Sequence, residues 1–264
     1  MTFLQQLLIA LVQGITEFLP ISSSGHLILI PFFTELPDQG PLIDVAVHVG
    51  SLLAIIIYFF RDVIGLAKGG LATVGIGQAP EQKKLFLWIA LGTIPAVALG
   101  AFLAVGGYLE SFRFTDLVAV NLIAYGLLLG AADRWGRQEK SYEDLTARDA
   151  IVVGLAQALA LIPGTSRSGV TMTAARFLGY KRVEAARFSF LLSIPAVAGA
   201  GLLASLELAG ATSQMQWDAL VAGAMTFVAA FATMAFLMRF LRTASMMVFV
   251  IYRVALGAAL LVWF

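Results

Sequence analysis

Two short segments of this sequence carry reactive residue types in surroundings where such residues are costly. One runs Gln13-Gly14-Ile15-Thr16-Glu17-Phe18-Leu19-Pro20-Ile21-Ser22-Ser23-Ser24-Gly25-His26 and the other Pro163-Gly164-Thr165-Ser166-Arg167-Ser168-Gly169-Val170-Thr171. Both interrupt strongly apolar stretches, where an ionisable side chain is a functional hypothesis by default. Gln13 and Glu17 lie four apart and share one helix face. The second segment offers hydroxyls, glycines that let backbone N–H groups approach a ligand, and a guanidinium whose fork suits phosphate oxygens. A turn feeding a helix N-terminus is a ready anion site. A carboxylate, an imidazole, several hydroxyls and an arginine together form an inventory for phosphoryl transfer. Arg167 and loop amides would stabilise charge on the equatorial oxygens. Ser23 or His26 would attack phosphorus. Glu17 would orient the histidine, act as base or hold a divalent cation. The candidate substrate-binding residues are Gln13, Ser22, Ser24, Gly164, Thr165, Ser166, Ser168 and Thr171.

Each of these residues has a plainer reading. Glu17 could pair with an arginine for assembly, and small polar residues are commonly packing glue between membrane helices. A lone His26 is more often a hydrogen-bonded structural residue, and Arg167 could snorkel to an interface. Clustering is what favours chemistry. His48 is read as a cavity residue or a satisfied interhelical histidine, and Asn121 as packing glue. Arg253 is read evenly as a second phosphate ligand or a partner for a carboxylate. Thr73-Val74-Gly75-Ile76-Gly77 imitates a potassium-filter string by coincidence, since it lies in a Gly-rich loop beside Lys68 and Pro80. No Walker loop, HExxH or GxSxG pattern occurs.

The elements that must position these residues are set by the solvent. Hydrophobic residues make up 60% of the chain and charged ones 12%, with mean hydropathy +0.90. Soluble domains carry roughly 45–50% apolar and about 25% charged residues, so the reading is an all-α polytopic membrane protein. A net charge of +1 gives no basic surface for nucleic acid, and the absence of cysteine excludes disulfides and thiolate metal sites. The N-terminal segment does not read as a cleaved signal, because Gln5, Gln6, Gln13 and Glu17 interrupt it and no Lys or Arg precedes it.

Six stretches are apolar enough to span, at about 45–60, 85–105, 117–132, 188–206, 218–238 and 245–264. Two more, 4–33 and 150–178, are broken by Pro20 with its Ser run and by Pro163-Gly164. Lys and Arg concentrate in 61–84, 133–149, 176–187 and 239–244, whereas 106–116 holds only Arg113 and 207–217 holds none. The positive-inside rule places the first four regions in the cytoplasm. Unless the N-terminal segment spans fully, the two broken segments then become re-entrant hairpins from opposite faces, each followed by three spans. Shifting by 144 residues aligns Gln13 with Gln157, Ser22 with Ser166, Ser24 with Ser168 and Gly25 with Gly169. This describes one membrane domain, 1–264, as an inverted repeat: about 1–132, a charged loop 133–149, and about 150–264. In such proteins the site lies near the midplane where interrupted helices meet.

The two quoted motifs resemble the signature motifs of the bacterial undecaprenyl-diphosphatases, the bacitracin-resistance membrane phosphatases. The likeness extends over the Asp44-to-Ala54 segment, the Phe188-Ser-Phe-Leu-Leu run and the Tyr252-Arg253 pair. It implies hydrolysis of undecaprenyl diphosphate to undecaprenyl phosphate and inorganic phosphate, recycling the lipid carrier for cell-wall synthesis. It also implies a plasma-membrane location, a site open to the periplasmic or outer side, help from Mg²⁺ or Ca²⁺, and Glu17, Ser23, His26, Ser166 and Arg167 on functional positions. A homodimer stays open as an assembly. Gln13 stands where many members have glutamate, so only Glu17 of that pair is charged, which counts against a metal role shared by two carboxylates here. His48 stands where some relatives have glutamine. The competing classes are a transporter or flippase of the phosphorylated lipid, an architecture that also uses broken helices, and a scaffold protein indifferent to Glu17 and His26.

Overall fold

The computed structural model describes residues 1–34, 40–107, 112 and 114–263. Among them the chain is all-helical: α1 (Phe3–Thr16), α2 (Ser23–Thr34), α3 (Pro41–Tyr58), α4 (Phe60–Thr73), α5 (Pro80–Val105), α6 (Thr115–Trp135), a 3-10 turn (Tyr142–Asp144), α7 (Ala147–Leu159), α8 (Arg167–Phe177), α9 (Arg182–Ala209), α10 (Ser213–Phe240) and α11 (Met247–Trp263). Local chemistry sets several of the starts. Pro41 and Pro80 open α3 and α5, where a missing N–H costs nothing. The hydroxyls of Thr2, Thr146 and Thr212 cap α1, α7 and α10 by accepting from Gln5, Asp149 and Met215 N–H groups.

All six expected spans fall on helices. Four of them, α3, α5, α6 and α10, are long and apolar enough to cross a bilayer. The 28-residue α9 and 17-residue α11 occupy the other two places. The burial pattern is the reverse of a soluble protein's. Leu53, Ile57, Val97, Phe102, Leu220 and Val228 are exposed, while Gln13, Glu17, Asp133, Arg176 and Arg253 are buried. The 61–84 region is not simply a loop, because α4 occupies its first part. That helix is amphipathic rather than continuously apolar, so a search for long apolar runs passes over it. It packs on α5 so closely that a Cβ on Gly69 would lie 2.1 Å from the Gln82 carbonyl oxygen. Arg113, on which part of the orientation argument rests, lies outside the described residues, as do 108–111.

The interrupted segments are two hairpins, α1–α2 and α7–α8. Their helices have 14, 12, 13 and 11 residues, and at ~1.5 Å per residue none reaches across a core of ~30 Å. They enter from opposite ends of α10. At the base of the first, Gln6 Nε2 donates to Asp218 Oδ1 at 2.7 Å, in the opening turns of α10. At the base of the second, Arg176 donates to the Gly136 and Asp133 carbonyls, and the Asp133 carboxylate accepts from Met246 N–H at 3.0 Å, just beyond the far end of α10. Symmetry shows in the packing too, since α1 lies along α10 as α7 lies along α5. Small residues permit the close crossings: a Cβ on Gly50 would meet the Gly223 oxygen at 2.2 Å, and one on Gly154 the Gly92 oxygen at 2.3 Å.

Asp133 is the hub of the second hairpin's base. Besides Met246 N–H it takes Arg182 through Nε at 2.6 Å and Nη2 at 3.0 Å, with Arg176 Nε at 3.5 Å. Removing one partner from a buried ion pair typically costs about 3–5 kcal/mol, because the remaining charges lose their compensation. Asp133→Ala is therefore expected to lower the thermal midpoint in detergent by well over ten degrees or prevent folding. An unchanged melting curve would contradict this role.

Candidate active site

The two hairpin tips end in the same backbone device. Ser22 and Ser166 are the only non-glycine residues with positive φ among the described residues, at 77° and 71°. L-residues avoid this region, at a cost of about 1–3 kcal/mol each. Each serine turns the chain from the tip into the next helix and caps it. Ser22 Oγ accepts from Gly25 N–H at 3.3 Å, and Ser166 Oγ accepts from Gly169 N–H at 3.1 Å. The hydroxyls of Ser24 and Ser168 stand 3.4 and 3.3 Å from the capping oxygens. The tips touch, Ser168 Oγ donating to the Leu19 carbonyl at 3.1 Å.

The next residue after each cap, Ser23 and Arg167, reaches the same carboxylate. Ser23 Oγ donates to Glu17 Oε2 at 2.6 Å, and Arg167 Nη2 donates to Glu17 Oε1. Gln13 Nε2 donates to Oε2 at 3.1 Å from one turn back. His48, on α3, brings Nε2 to 3.7 Å from the same oxygen. Its Nδ1 faces the Asp44 carbonyl at 2.7 Å, so Nδ1 carries a hydrogen. The pseudo-symmetric twin of Glu17 is Leu161. One repeat thus supplies the carboxylate and the other the guanidinium.

His26 is placed differently from the expectation. Its Nδ1–H donates to the Ser22 carbonyl at 2.7 Å, and its Nε2 pairs with the Tyr252 hydroxyl at 2.6 Å with the rings stacked. Glu17 does not orient this histidine; the cap backbone and α11 do. The hydroxyls of Ser22, Ser166, Ser168 and Thr171 are engaged within the fold. Thr171 Oγ1 lies 2.7 Å from the Arg167 carbonyl and 2.6 Å from Ser189 Oγ. Gly164, at φ 85°, presses against α6, where a Cβ would meet the Val118 oxygen at 2.6 Å. Arg253 is neither a carboxylate partner nor free for a phosphate, because its guanidinium is tied to backbone carbonyls. Asn121 also has a specific task, donating to the Pro163 carbonyl at 2.8 Å. Tyr252 and Ser189 also join this cluster; each lies in a run that carries the family resemblance, the Tyr252-Arg253 pair and Phe188-Ser-Phe-Leu-Leu, though neither run by itself gives its residue a role.

Three buried polar atoms of this cluster have no protein partner: Gln13 Oε1, Thr165 Oγ1 and Arg167 Nη1. Leaving such groups unmade costs about 1–3 kcal/mol apiece, which suits a site completed by a polar ligand. The donor set does not suit a resident divalent cation. Among the described residues no three His, Cys, Asp or Glu side chains gather around one point. Among the described residues Glu17 is the one carboxylate in the cluster, and Arg167, Ser23 and Gln13 already take both of its oxygens. Hard cations ask for several oxygen ligands. The expectation that Glu17 holds Mg²⁺ or Ca²⁺ does not match this arrangement.

The family model described as "Bacitracin resistance protein BacA" matches residues 6–259. An "Undecaprenyl-diphosphatase" from Erythrobacter litoralis is 64% identical, the alignment covering 100% of both chains. Proteins of the same name from Hahella chejuensis and Alteromonas mediterranea are 48% and 50% identical, with 100% of this chain aligned to 98% and 99% of theirs.

Proposed function

The chain belongs to the bacitracin resistance protein BacA family, and from that premise we propose that it hydrolyses undecaprenyl diphosphate to undecaprenyl phosphate and inorganic phosphate. The observation that carries the reading is the convergence of Ser23 and Arg167 on Glu17, one from each hairpin tip. A hydroxyl hydrogen-bonded to a carboxylate is a nucleophile with its base in place. A guanidinium beside it, with Nη1 unpartnered, is an electrophilic clamp for phosphate oxygens.

The chemistry then runs in two steps. As the diphosphate enters, Arg167 shifts part of its hydrogen bonding from Glu17 to phosphate oxygens, which makes the carboxylate a better proton acceptor. Ser23 Oγ attacks the terminal phosphorus, its proton passes to Glu17 Oε2, and the bond from phosphorus to the bridging oxygen breaks. Undecaprenyl phosphate leaves with that electron pair. Water then attacks the phosphoserine, the P–Oγ bond breaks, and Ser23 recovers its proton from Glu17. Both hydrogens of the water leave on inorganic phosphate. His26, held by the Ser22 carbonyl and Tyr252, borders the reacting centre rather than attacking it, and His48 stands beside Glu17 on α3. A divalent cation, where one is needed, would arrive with the diphosphate. The site is read as open to the outer face of the plasma membrane, as the family resemblance implies, and pairing of two copies is part of the same proposal.

The test is phosphate release from undecaprenyl diphosphate by purified protein in detergent. Steady release is expected. Its absence with divalent cations supplied, together with protein-dependent movement of the intact lipid across liposome membranes, would replace the hydrolase with the transporter reading.

A further inference from the structure

Arg253 is a fully buried cation with no carboxylate partner among the described residues. Its guanidinium is tied to five backbone carbonyls instead. Nε donates to Leu122 at 3.1 Å and Nη1 to Pro20 at 3.0 Å, while Nη2 lies 3.2, 3.0 and 3.0 Å from the oxygens of Asn121, Gly164 and Thr165. Pro20 belongs to the first hairpin tip, Gly164 and Thr165 to the second, and Asn121 and Leu122 to α6 behind both. One planar fork on α11 therefore holds both tips against one spanning helix.

Two glycines clear the space for it. A Cβ on Gly126 would lie 3.1 Å from Arg253 Cβ, and one on Gly169 only 2.8 Å from Arg253 Nη1. Asn121 plays a smaller version of the part, holding Pro163 of the second tip alone. The pseudo-two-fold is thus broken at Arg253, the side chain that grips both tips at once. Peptide planarity makes the arrangement consequential. When the Thr165 carbonyl is drawn to Arg253, the Ser166 N–H on the same peptide must face away, and the orientation of the Ser166 cap and of Arg167 follows from it.

We infer that Arg253 is a positioning residue that sets the register between the two hairpin tips, and through it the meeting of Ser23 and Arg167 at Glu17. The catalytic part of this inference rests on the hydrolase reading; the mechanical part does not. Lysine at this place keeps the charge but offers one ammonium with three donors, too few and too compact to serve both tips. A misplacement of about 1 Å at a reacting centre costs on the order of 10²-fold in rate.

Two measurements on Arg253→Lys keep the parts separate. The chain has no cysteine, so the relative rate of oxidative cross-linking in Leu19→Cys/Ser168→Cys, whose positions adjoin across the tips where Ser168 Oγ meets the Leu19 carbonyl, compares tip register with and without Arg253. Rapid oxidative cross-linking is expected with Arg253 present and slow cross-linking in Arg253→Lys. For folded monodisperse protein without those cysteines, Arg253→Lys is expected to lower kcat by about 10²-fold with KM changed much less. Unchanged kcat per folded molecule together with unchanged cross-linking would overturn the inference, leaving Arg253 a stability residue only. Slowed cross-linking in a parent protein that releases no phosphate would keep the clamp and discard the hydrolase reading.

Discussion

Replacing Ser23 by alanine is expected to reduce phosphate release by at least about 10³-fold, the scale on which losing a covalent nucleophile is felt. Neighbouring serines give no rescue. Ser22 Oγ is buried and caps α2 by accepting from Gly25 N–H, and Ser24 Oγ faces that cap. Fold and lipid binding should survive, because Ser23 contributes one partly exposed hydroxyl to the cluster. The decisive measurement is the chemistry of the trapped intermediate. Brief exposure to substrate labelled on the terminal phosphate should leave an acid-stable, alkali-labile phosphoryl group on the parent protein and none on Ser23→Ala. An acid-labile label that survives in Ser23→Ala and vanishes in His26→Ala would transfer the nucleophile to the histidine. The geometry speaks against that outcome, since Ser22 and Tyr252 occupy both ring nitrogens.

The second large effect is expected at Arg167, whose loss should act twice. Arg167→Ala removes the cation facing the phosphate, and removal of comparable electrostatic contacts costs about 10²–10³ or more in kcat. It also strands the Glu17 carboxylate, whose side chain is only 6% exposed. Breaking a buried pair from one side costs about 3–5 kcal/mol. A lower melting temperature and a collapse of activity should therefore appear together. Adding Glu17→Gln should separate them, since the double variant no longer buries an unpaired charge. Its melting temperature is expected to recover while its activity does not. Arg167→Lys should keep most of the stability and still lose activity, because an ammonium cannot hold Glu17 and a phosphate through one fork. Near-parent activity in Arg167→Lys would show that charge alone suffices and remove the clamp from the mechanism.

These expectations trace back unequally to the sequence. Glu17, Ser23 and Arg167 were legible because polar groups in a hydrocarbon-facing chain stand out against an apolar background. The broken helices were legible because proline and glycine interrupt a backbone in a local, sequence-encoded way. The 144-residue shift pairs Ser22 with Ser166, and the structure gives that pairing a backbone meaning in the positive φ of both. Helix α4 was missed because its apolar face is discontinuous along the chain. The partner of His26 is not legible in the sequence, because Tyr252 is 226 residues away and no local pattern couples them.

The opening segments thus announced by themselves that a carboxylate, a hydroxyl and a guanidinium lie within a membrane. Residue type and solvent are enough to make that inference. Tertiary structure alone decided what each group meets. It brought Ser23 and Arg167 from opposite repeats onto the two oxygens of Glu17, set His48 beside them, and turned His26 toward Tyr252. It also committed Arg253 to carbonyls rather than to a phosphate. The physical reason is range. Helix, break and polarity follow from neighbours within a few residues, whereas a hydrogen-bond partner is fixed by where distant segments pack, and in this chain the two tips come within reach only when the repeats close on each other.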